Sequence, residues 1–503
     1  MNVMRALLIL FVCAISSTAN DAIVATHYFY WYRWPNEHFR PADQPDAEGH
    51  FHHFPNPEKV SYLSDGWHEE QFRDMRAAGI QVALPVYWGA PGAYKRDGIR
   101  FSADGIRPML RALDRMDDDA IKLGLFYDTS TLLNDVRSAQ PAGGRTDLTT
   151  TAGKELFSNT IIEYFDRIPP DHWARVRGGA LTVLYTSAFA AKWDKTLGSH
   201  LQKAFARRFP GESVFLVADV TWGDIGQNRT CEWGSTIVKP MLHPGLAQIG
   251  PGYNDTPVPG RTTPSREREN GDYYRTSWRK AIEHKPELVL IETWNEMHEG
   301  TEICESAELG RQYIDLTAEW VKRLRNDGPL GKPIKLRFPK PRYRTDYSWG
   351  KAIKGRGNVR ADFAAVVKES GLRTAAVEDG PIRRHADHIV SLPRRGHPTR
   401  YVYFQVSDHW KFEISPTDLQ LTVITRQKTS LSVEYDSHNH EATMGGAYTP
   451  AERIGPESSH VHRFRLSSAM LANRQNGGSD FRFIVAGPEL EIQSVELAEI
   501  EKK

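Results

Sequence analysis

The stretch that decides the fold is LVLIETWNE, residues 288–296. Four consecutive apolar residues precede Glu292, and the stretch ends in a second glutamate, Glu296. A strand that is apolar on both faces is typical of a parallel sheet covered by helices on both sides, because an antiparallel sheet with one wet face would show alternation. The stretch therefore predicts one strand of an α/β sheet, with polar residues at its carboxyl end.

Seven similar runs precede this strand along the chain. They lie at 23–30, 82–88, 122–127, 181–185, 214–220, 236–239 and 246–249. Helical patterns separate them at 67–78, 106–116, 155–167 and 273–284, and Leu309, Tyr313, Leu316, Trp320 and Leu324 form one apolar helix face after the eighth strand. Eight strand–helix units in about 310 residues predict a (β/α)8 TIM barrel. No glycine-rich phosphate loop follows the first strand, which excludes a dinucleotide-binding fold.

The pattern changes after residue 327. Residues 328–342 are rich in proline and basic side chains, which predicts a linker. Beyond it, short strand runs separated by turn residues predict an antiparallel β-sandwich over 343–503. These runs lie at 401–406, 419–425, 430–435, 462–466, 481–485 and 490–497. The barrel domain is accordingly predicted over 20–327.

The first nineteen residues predict a signal peptide. Arg5 precedes an apolar run at 6–15, and Ser17-Thr18-Ala19 forms a small-residue cleavage site. The expected localisation is secreted or periplasmic. No later stretch reaches 18 apolar residues, so no membrane insertion is predicted. Lys+Arg (64) balance Asp+Glu (63), and this near-neutral charge argues against nucleic acid as a partner.

Two features raise the question of cross-links and metals. After the signal peptide leaves with Cys13, only Cys231 and Cys304 remain, and one disulfide or two buried free thiols fit equally well. The sequence has no HExxH or CxxC motif. The 49–53 segment, with three histidines, offers zinc ligands, but a hydrogen-bonded polar loop is favoured. No metal and no cofactor are predicted.

Two carboxylates at the end of the eighth strand suggest a chemistry. Glu296 ends the strand, and Glu299 follows three positions later, so both side chains are expected at the mouth of the barrel. One carboxyl group can protonate a departing glycosidic oxygen while the other activates a nucleophile. The pair is therefore typical of an enzyme that cleaves glycosidic bonds.

The same segment carries a family resemblance. NEMHEGTEI, residues 295–303, resembles the signature of glycoside hydrolase family 99, the endo-α-1,2-mannosidases and mannanases, and their family 71/99-like relatives. YFYWY at 28–32, IGPGYNDT at 249–256 and GDYY at 271–274 are similar to further segments of that family. The resemblance covers about 22–326, whereas the sandwich resembles only carbohydrate-binding-like modules. Met297 stands where the family usually has Trp, and Cys304 where an acidic residue is common.

The resemblance implies a retaining, metal-free hydrolase of an α-linked glycan or polysaccharide, with an α-mannoside-type substrate favoured, and the predicted signal peptide implies that the enzyme is exported. It implies that Glu296 is the base on the sugar 2-hydroxyl and that Glu299 is the general acid and then the base for water. Its alternatives are a hydrolase of another α-glycan, such as an α-glucan, and a non-catalytic carbohydrate-binding protein. The predicted substrate-binding residues are Tyr30, Tyr32, Trp88, Asp128, Tyr253, Asn295 and His298.

In the sandwich, a group of aromatic residues admits two interpretations, a sugar platform or ordinary core. They are Tyr401, Tyr403, Phe404, Trp410 and Phe412. Alternating aromatics on a strand favour the core.

Overall fold

The structure is a computed structural model of the 503-residue chain. It describes residues 22–39, 49–89, 100–116, 121–133, 144–258, 261, 263–325, 347–363, 368–377, 379–393, 399–439, 442–487 and 489–500. The predicted signal peptide (1–19) and linker (328–342) lie outside these residues. Among the described helices, none has the length and apolar character needed to cross a bilayer.

The N-terminal part is built on parallel strands. They are β1 Ile23–Tyr28, β2 Val82–Tyr87, β3 Leu125–Tyr127, β4 Gly179–Leu184, β5 Val214–Asp219, β6 Arg229–Cys231, β7 Leu246–Ile249 and β8 Leu288–Ile291. Neighbours pair in the order β6-β5-β4-β3-β2-β1-β8-β7, and every one of these pairings is parallel. β6 and β7 approach each other across the remaining gap. The sheet is thus a nearly closed barrel, and all strand carboxyl ends meet at one rim.

Helices cover the outside of this sheet. They are α1 Asp65–Ala77, α2 Phe101–Asp104, α3 Ile106–Leu113, α4 Thr151–Asp166, α5 Leu197–Arg208, α6 Asp272–His284 and α7 Gln312–Arg325. Hydroxyl caps begin two of them, because Ser64 accepts from the Trp67 N–H and Thr150 accepts from the Gly153 N–H. The predicted apolar face of α7 is buried, and the barrel side chains form one core from Ala22 to Leu324. Shorter strands lie at Lys122–Leu123, Thr146–Asp147, Arg175–Val176, Ala190–Lys192 and Met241–His243.

The predicted sixth strand, 236–239, is wrong. β6 lies earlier in the chain, and residues 235–238 form a turn. The β-branched residues of this segment read as a strand, but the Gly234 and Thr236 N–H groups donate to the Glu292 carboxylate and not to a neighbouring strand. A side chain distant in sequence therefore decided the local structure.

The C-terminal part consists of two antiparallel sheets. Its strands are β9 Asn358–Asp362, β10 Lys368–Ser370, β11 Leu372–Thr374, β12 Ile382–Arg384, β13 Ile389–Ser391, β14 Thr399–Val406, β15 Thr417–Ser430, β16 Ser432–Tyr435, β17 Thr449–Pro450, β18 Glu452–Ile454, β19 Ser458–Ala469, β20 Phe481–Ala486 and β21 Glu491–Glu499. One sheet has the order β10-β9-β21-β15-β19-β18, with β13 also on β21, and the other has the order β11-β14-β20-β16-β17. Apolar side chains of both sheets share a second core, from Ile353 to Leu497.

The disulfide alternative is wrong. Cys231 and Cys304 are both free and buried. Cys231 ends β6, and the Cys304 N–H bonds to the Trp294 carbonyl beyond β8. Burial raises the pKa of each thiol well above its ordinary value, so both behave as small apolar core residues.

Candidate active site

The segment after β8 is fastened to the extension of β1. The Asn295 side chain accepts from the Phe29 N–H and donates to the Phe29 carbonyl, both at 2.8 Å. It thereby continues the sheet hydrogen bonding with a side chain where the backbone turns away. The Trp294 N–H also donates to the His27 carbonyl at 2.8 Å. Asn295, predicted to bind substrate, has its amide bonded to the protein and fixes the position of its neighbour Glu296.

Tyr30 is a correction to the predicted site. The His27 ring packs on Phe126 and Trp233 inside the barrel, so alternation turns Tyr28 and Tyr30 outward, toward the helices. Tyr30 is fully buried, and its hydroxyl donates to the Ser102 carbonyl at 2.7 Å. It is a core residue behind the strand and does not reach the rim.

Tyr32 is also buried, but it supports the site directly. Its hydroxyl donates to the Asn295 carbonyl and accepts from the Met297 N–H, both at 3.1 Å. Its ring stacks on His298. The prediction that Tyr32 contacts sugar is contradicted by this burial, and its hydroxyl instead holds the 295–298 turn.

The two candidate catalytic carboxylates lie on this turn. Glu296 is 4% exposed, and its Oε1 accepts from the His298 N–H at 3.2 Å. Glu299 is more open, and its Oε1 lies 3.4 Å from Nη1 of Arg261. Partial burial disfavours the charge on Arg261, but Glu299, Tyr253, Asp255 and Glu296 outweigh it and raise the pKa of the guanidinium. Both glutamates thus act on the same cation.

Tyr253 lies beside Glu299 on the loop after β7. Its hydroxyl donates to Asp255 Oδ2 at 2.8 Å, and the Asn254 N–H donates to the Glu299 carbonyl at the same distance. Its backbone pairs with Arg266 through two hydrogen bonds of 2.8 and 2.9 Å. Burial raises the pKa of both Tyr253 and Asp255, and Glu299 raises that of Tyr253 further. The structure therefore places Tyr253 next to Glu299, and its predicted contact with substrate stays a prediction.

Trp88 and Asp128 directly follow β2 and β3 at the carboxyl ends of those strands. The Trp88 indole N–H donates to Asp128 Oδ2 at 2.7 Å, and the Ser130 N–H donates to Oδ1 at 3.0 Å. Burial raises the pKa of Asp128. Trp31, which follows Phe29 on the inward side of β1, packs edge-on against Trp88 at 5.8 Å. Of the aromatic run 28–32, Trp31 is the residue that packs against Trp88.

Sequence reasoning missed Tyr185 at the end of β4. Burial raises the pKa of its phenol, and the carboxylates of Asp128, Glu299 and Glu292 raise it further. Tyr185 is therefore within electrostatic reach of both Asp128 and Glu299. Its position directly after an apolar strand is the same signal that identified Trp88, and it could have been used here.

The histidines near the rim are all engaged within the protein. The His298 ring bonds the Gly49 carbonyl and His38, each at 3.0 Å, so its predicted role in substrate binding is contradicted for the ring nitrogens. His50 bonds the His38 carbonyl, His52 bonds Glu302, and His53 bonds Glu308. Within the described ranges, no group of side chains is arranged to hold a metal ion. The prediction of a hydrogen-bonded loop in 49–53 is confirmed.

The aromatic residues of the sandwich do not form an open platform. Tyr403, Phe404 and Trp410 are buried, and the Arg482 guanidinium lies 4.2 Å from the Tyr401 ring centre. The core interpretation holds for Tyr403, Phe404 and Trp410, whereas Tyr401 and Phe412 are half-buried.

Comparison with known proteins places the chain in a family. A family model described as "Domain of unknown function (DUF5010)" matches residues 12–330. The chain belongs to this family. A glycoprotein endo-alpha-1,2-mannosidase-like protein of Danio rerio is 41% identical to this DUF5010 member over 162 residues, covering 29% of this chain and 35% of the relative. A glycoprotein endo-alpha-1,2-mannosidase of Rattus norvegicus is 36% identical over 97 residues, covering 18% and 20%.

The DUF5010 member thus spans about a third or less of the length of these curated relatives. Among solved structures, the GH99 endo-alpha-mannosidase from Bacteroides thetaiotaomicron aligns with 60% of this chain and 97% of its own length, with 17% identity and a TM-score of 0.44. The relatives confirm the resemblance to glycoside hydrolase family 99 that the 295–303 signature indicates.

Proposed function

We propose that this protein is an exported, retaining glycoside hydrolase that cleaves an α-linked glycan, with an α-mannoside as the favoured substrate, at the mouth of a (β/α)8 barrel. The observation that carries the proposal is the placement of Glu296 and Glu299 after β8, where both act electrostatically on Arg261. The printed names of the curated relatives, endo-alpha-1,2-mannosidases, support the substrate class.

The proposed mechanism assigns the first proton transfer to Glu296. Its carboxylate accepts the proton of the sugar 2-hydroxyl, and the 2-oxygen then attacks C1 and displaces the glycosidic oxygen. The His298 N–H bond to Glu296 favours the ionised form that a base needs. Glu299, on the open side of the turn, donates its proton to the departing oxygen. The product of this step is a 1,2-anhydro sugar.

The second half reverses these roles. Glu299 accepts a proton from water, the water oxygen opens the three-membered ring at C1, and Glu296 returns its proton to the 2-oxygen. Two inversions at C1 give net retention. Every proton is exchanged between the two glutamates, the sugar and water, so the route needs no metal.

The test begins with a panel of polymers. The wild-type chain is incubated with α-mannan, α-glucan and an α-mannose-capped glycan, and released reducing ends and product sizes are measured. We expect release from an α-mannoside. Release from α-glucan alone replaces the favoured substrate with the second α-glycan, and sugar binding without release from any polymer indicates a non-catalytic binding protein.

The glutamate roles are tested on substrates that differ in leaving group. Glu299→Gln is expected to lower turnover of natural glycosides at least 100-fold. The rate of the first step on an activated aryl glycoside should be retained, because a good leaving group needs no proton. Glu296→Gln is expected to slow both substrates. Glu283→Gln, an exposed glutamate on α6, is the matched control. Rapid cleavage of a 2-deoxy substrate by the wild type would overturn the anhydro-sugar route.

A further inference from the structure

The C-terminal module touches the barrel directly behind the candidate active site. The turn at Met444–Gly446 packs directly against the guanidinium of the barrel residue Arg266. Gly445, which has a φ of +65°, lies so close that a Cβ at this position would overlap the guanidinium. The Gly445 carbonyl also accepts from Arg474 at 3.3 Å, and Arg474 is held by Asp436. The module therefore presents bare backbone to a buried arginine of the other domain.

Arg266 is in turn bonded to the loop that carries Tyr253. It is 8% exposed, its guanidinium lies 4.2 Å above the Tyr273 ring, and Nη2 pairs with Glu269 at 3.0 Å. Its backbone makes both hydrogen bonds of the bridge to Tyr253. The side chain thus faces the module while the main chain holds the rim of the barrel.

A second contact reaches the other loop behind the site. Ile237 and Val238 pack against a small apolar cluster of the module that includes Tyr403 and Tyr448. In the same loop, the Gly234 and Thr236 N–H groups donate to Glu292, which directly follows β8. The Tyr273 hydroxyl donates to the Ser235 carbonyl at 2.5 Å. Tyr273 therefore joins the two contacted loops beneath Arg266.

We propose that the module is a structural part of the catalytic centre, and that Arg266, clamped by Gly445, is a positioning residue for Tyr253 and thereby for Glu299. This inference rests on the proposed function for its kinetic consequence only. A freely hinged binding domain would need no glycine at the point of contact and would leave the loops after β6 and β7 to order themselves.

The test compares two glycines with the same backbone conformation. Gly445→Ala and Gly350→Ala both place a side chain at a φ of +65°, but the new methyl group meets Arg266 only in the first case, since Gly350 has just one atom, Ile353 Cδ1, at 4.0 Å. In the full chain, Gly445→Ala is expected to lower kcat by about tenfold or more, because small displacements of positioning loops are costly. Gly350→Ala is expected to stay within about twofold of the wild type.

Hydrogen exchange provides a readout that does not depend on turnover. In Gly445→Ala, peptides covering 250–256 and 232–238 should exchange at least tenfold faster than in the wild type, because the Tyr253, Gly234 and Thr236 N–H groups lose the support of their loops. Peptides from β15 should be unchanged, which shows that the module remains folded. Equal exchange and equal kcat in both glycine variants would overturn the proposal.

Arg266→Gln keeps the proposal testable if Gly445→Ala does not fold. This variant leaves the module unaltered and is expected to loosen the same two peptides. With the guanidinium removed, adding Gly445→Ala should change kcat and the exchange of these peptides little further. This non-additivity distinguishes a direct contact from general destabilisation. If the wild type cleaves no polymer, the proposed function fails, but the exchange data still decide whether the module orders the loops.

Discussion

Two glutamates four residues apart on one strand end have different surroundings. Glu296 lies on the rim and accepts one backbone hydrogen bond, from His298. Glu292 is 1% exposed inside the barrel and accepts from the Gly234 and Thr236 N–H groups and the Ser235 hydroxyl. Burial nevertheless raises its pKa to about 7. Glu292 therefore anchors the 234–238 turn through hydrogen bonds, and its pKa lies near neutral pH.

This titration makes folding stability depend on pH. Because the folded-state pKa of Glu292 is higher than the ordinary 4.5, its stabilising contribution is complete below pH 4.5 and is lost as the pH rises through about 7. The expected loss is on the order of 3 kcal/mol in the free energy of unfolding. Glu292→Gln should remove this component, as measured by urea unfolding between pH 4.5 and 8. If the free energy of unfolding of Glu292→Gln depends on pH in the same way as that of the exposed control Glu283→Gln, the pH dependence does not come from Glu292.

The two buried thiols give a second prediction at the residue scale. In a chain beginning at Asn20, Cys231 and Cys304 should resist alkylation in the native state, because both are buried and their pKa values are raised. Unfolding without a reductant should expose two alkylatable thiols per chain. Intact mass before and after unfolding measures both. Failure to alkylate the unfolded chain until a reductant is added would show a disulfide.

At the scale of elements, the turn after β8 depends on one glycine. Gly300 adopts a φ of +57°, and a Cβ at this position would lie 2.5 Å from the Phe51 ring. The backbone N–H of Phe51 donates to the Met297 carbonyl at 2.8 Å, so Phe51 is itself bonded to the turn. A side chain at this position would therefore have to displace the Phe51 ring. The tight packing of the turn fixes the spacing of Glu296 and Glu299.

Gly300→Ala is expected to lower both stability and turnover. The positive φ alone costs about 1–2 kcal/mol, and displacement of Phe51 adds about 1–3 kcal/mol. Gly310→Ala is the matched control, since Gly310 has a φ of +54° and no atom within 4 Å of the added methyl group. Thermal unfolding and kcat on the best polymer measure the difference. Equal effects of the two variants would show that packing against Phe51 is unimportant.

The positions of the strands were predicted better than the direction in which their side chains point. The apolar runs placed seven of the eight strands, but the aromatic run 28–32 gave no indication of which alternate residues point inward. The inward position of His27 decides it, because it turns Tyr30 toward Ser102 and leaves Trp31 at the rim. A one-residue change of phase exchanges the two sets entirely.

At the scale of the whole molecule, two cores meet behind the site. The barrel core runs from Ala22 to Leu324, and the sheets of the module enclose their own core from Ile353 to Leu497. A third, small apolar cluster joins them through Ile237 and Val238. Their meeting point at Arg266 and Gly445 lies next to the loops after β6 and β7, so the two halves of the molecule share the support of one rim.

The sequence by itself determined the parallel sheet, the antiparallel sheets after it and the position of Glu296 and Glu299, because these follow from local hydrophobic pattern and from strand ends that share one edge. Only the tertiary structure decided the features that depend on distant partners. It showed that 236–239 is a turn bonded to Glu292, that Tyr32 and Asn295 support the site from behind, and that Gly445 reaches Arg266. The physical reason is that a hydrogen bond or close contact between residues far apart in the chain leaves no periodic trace in the sequence.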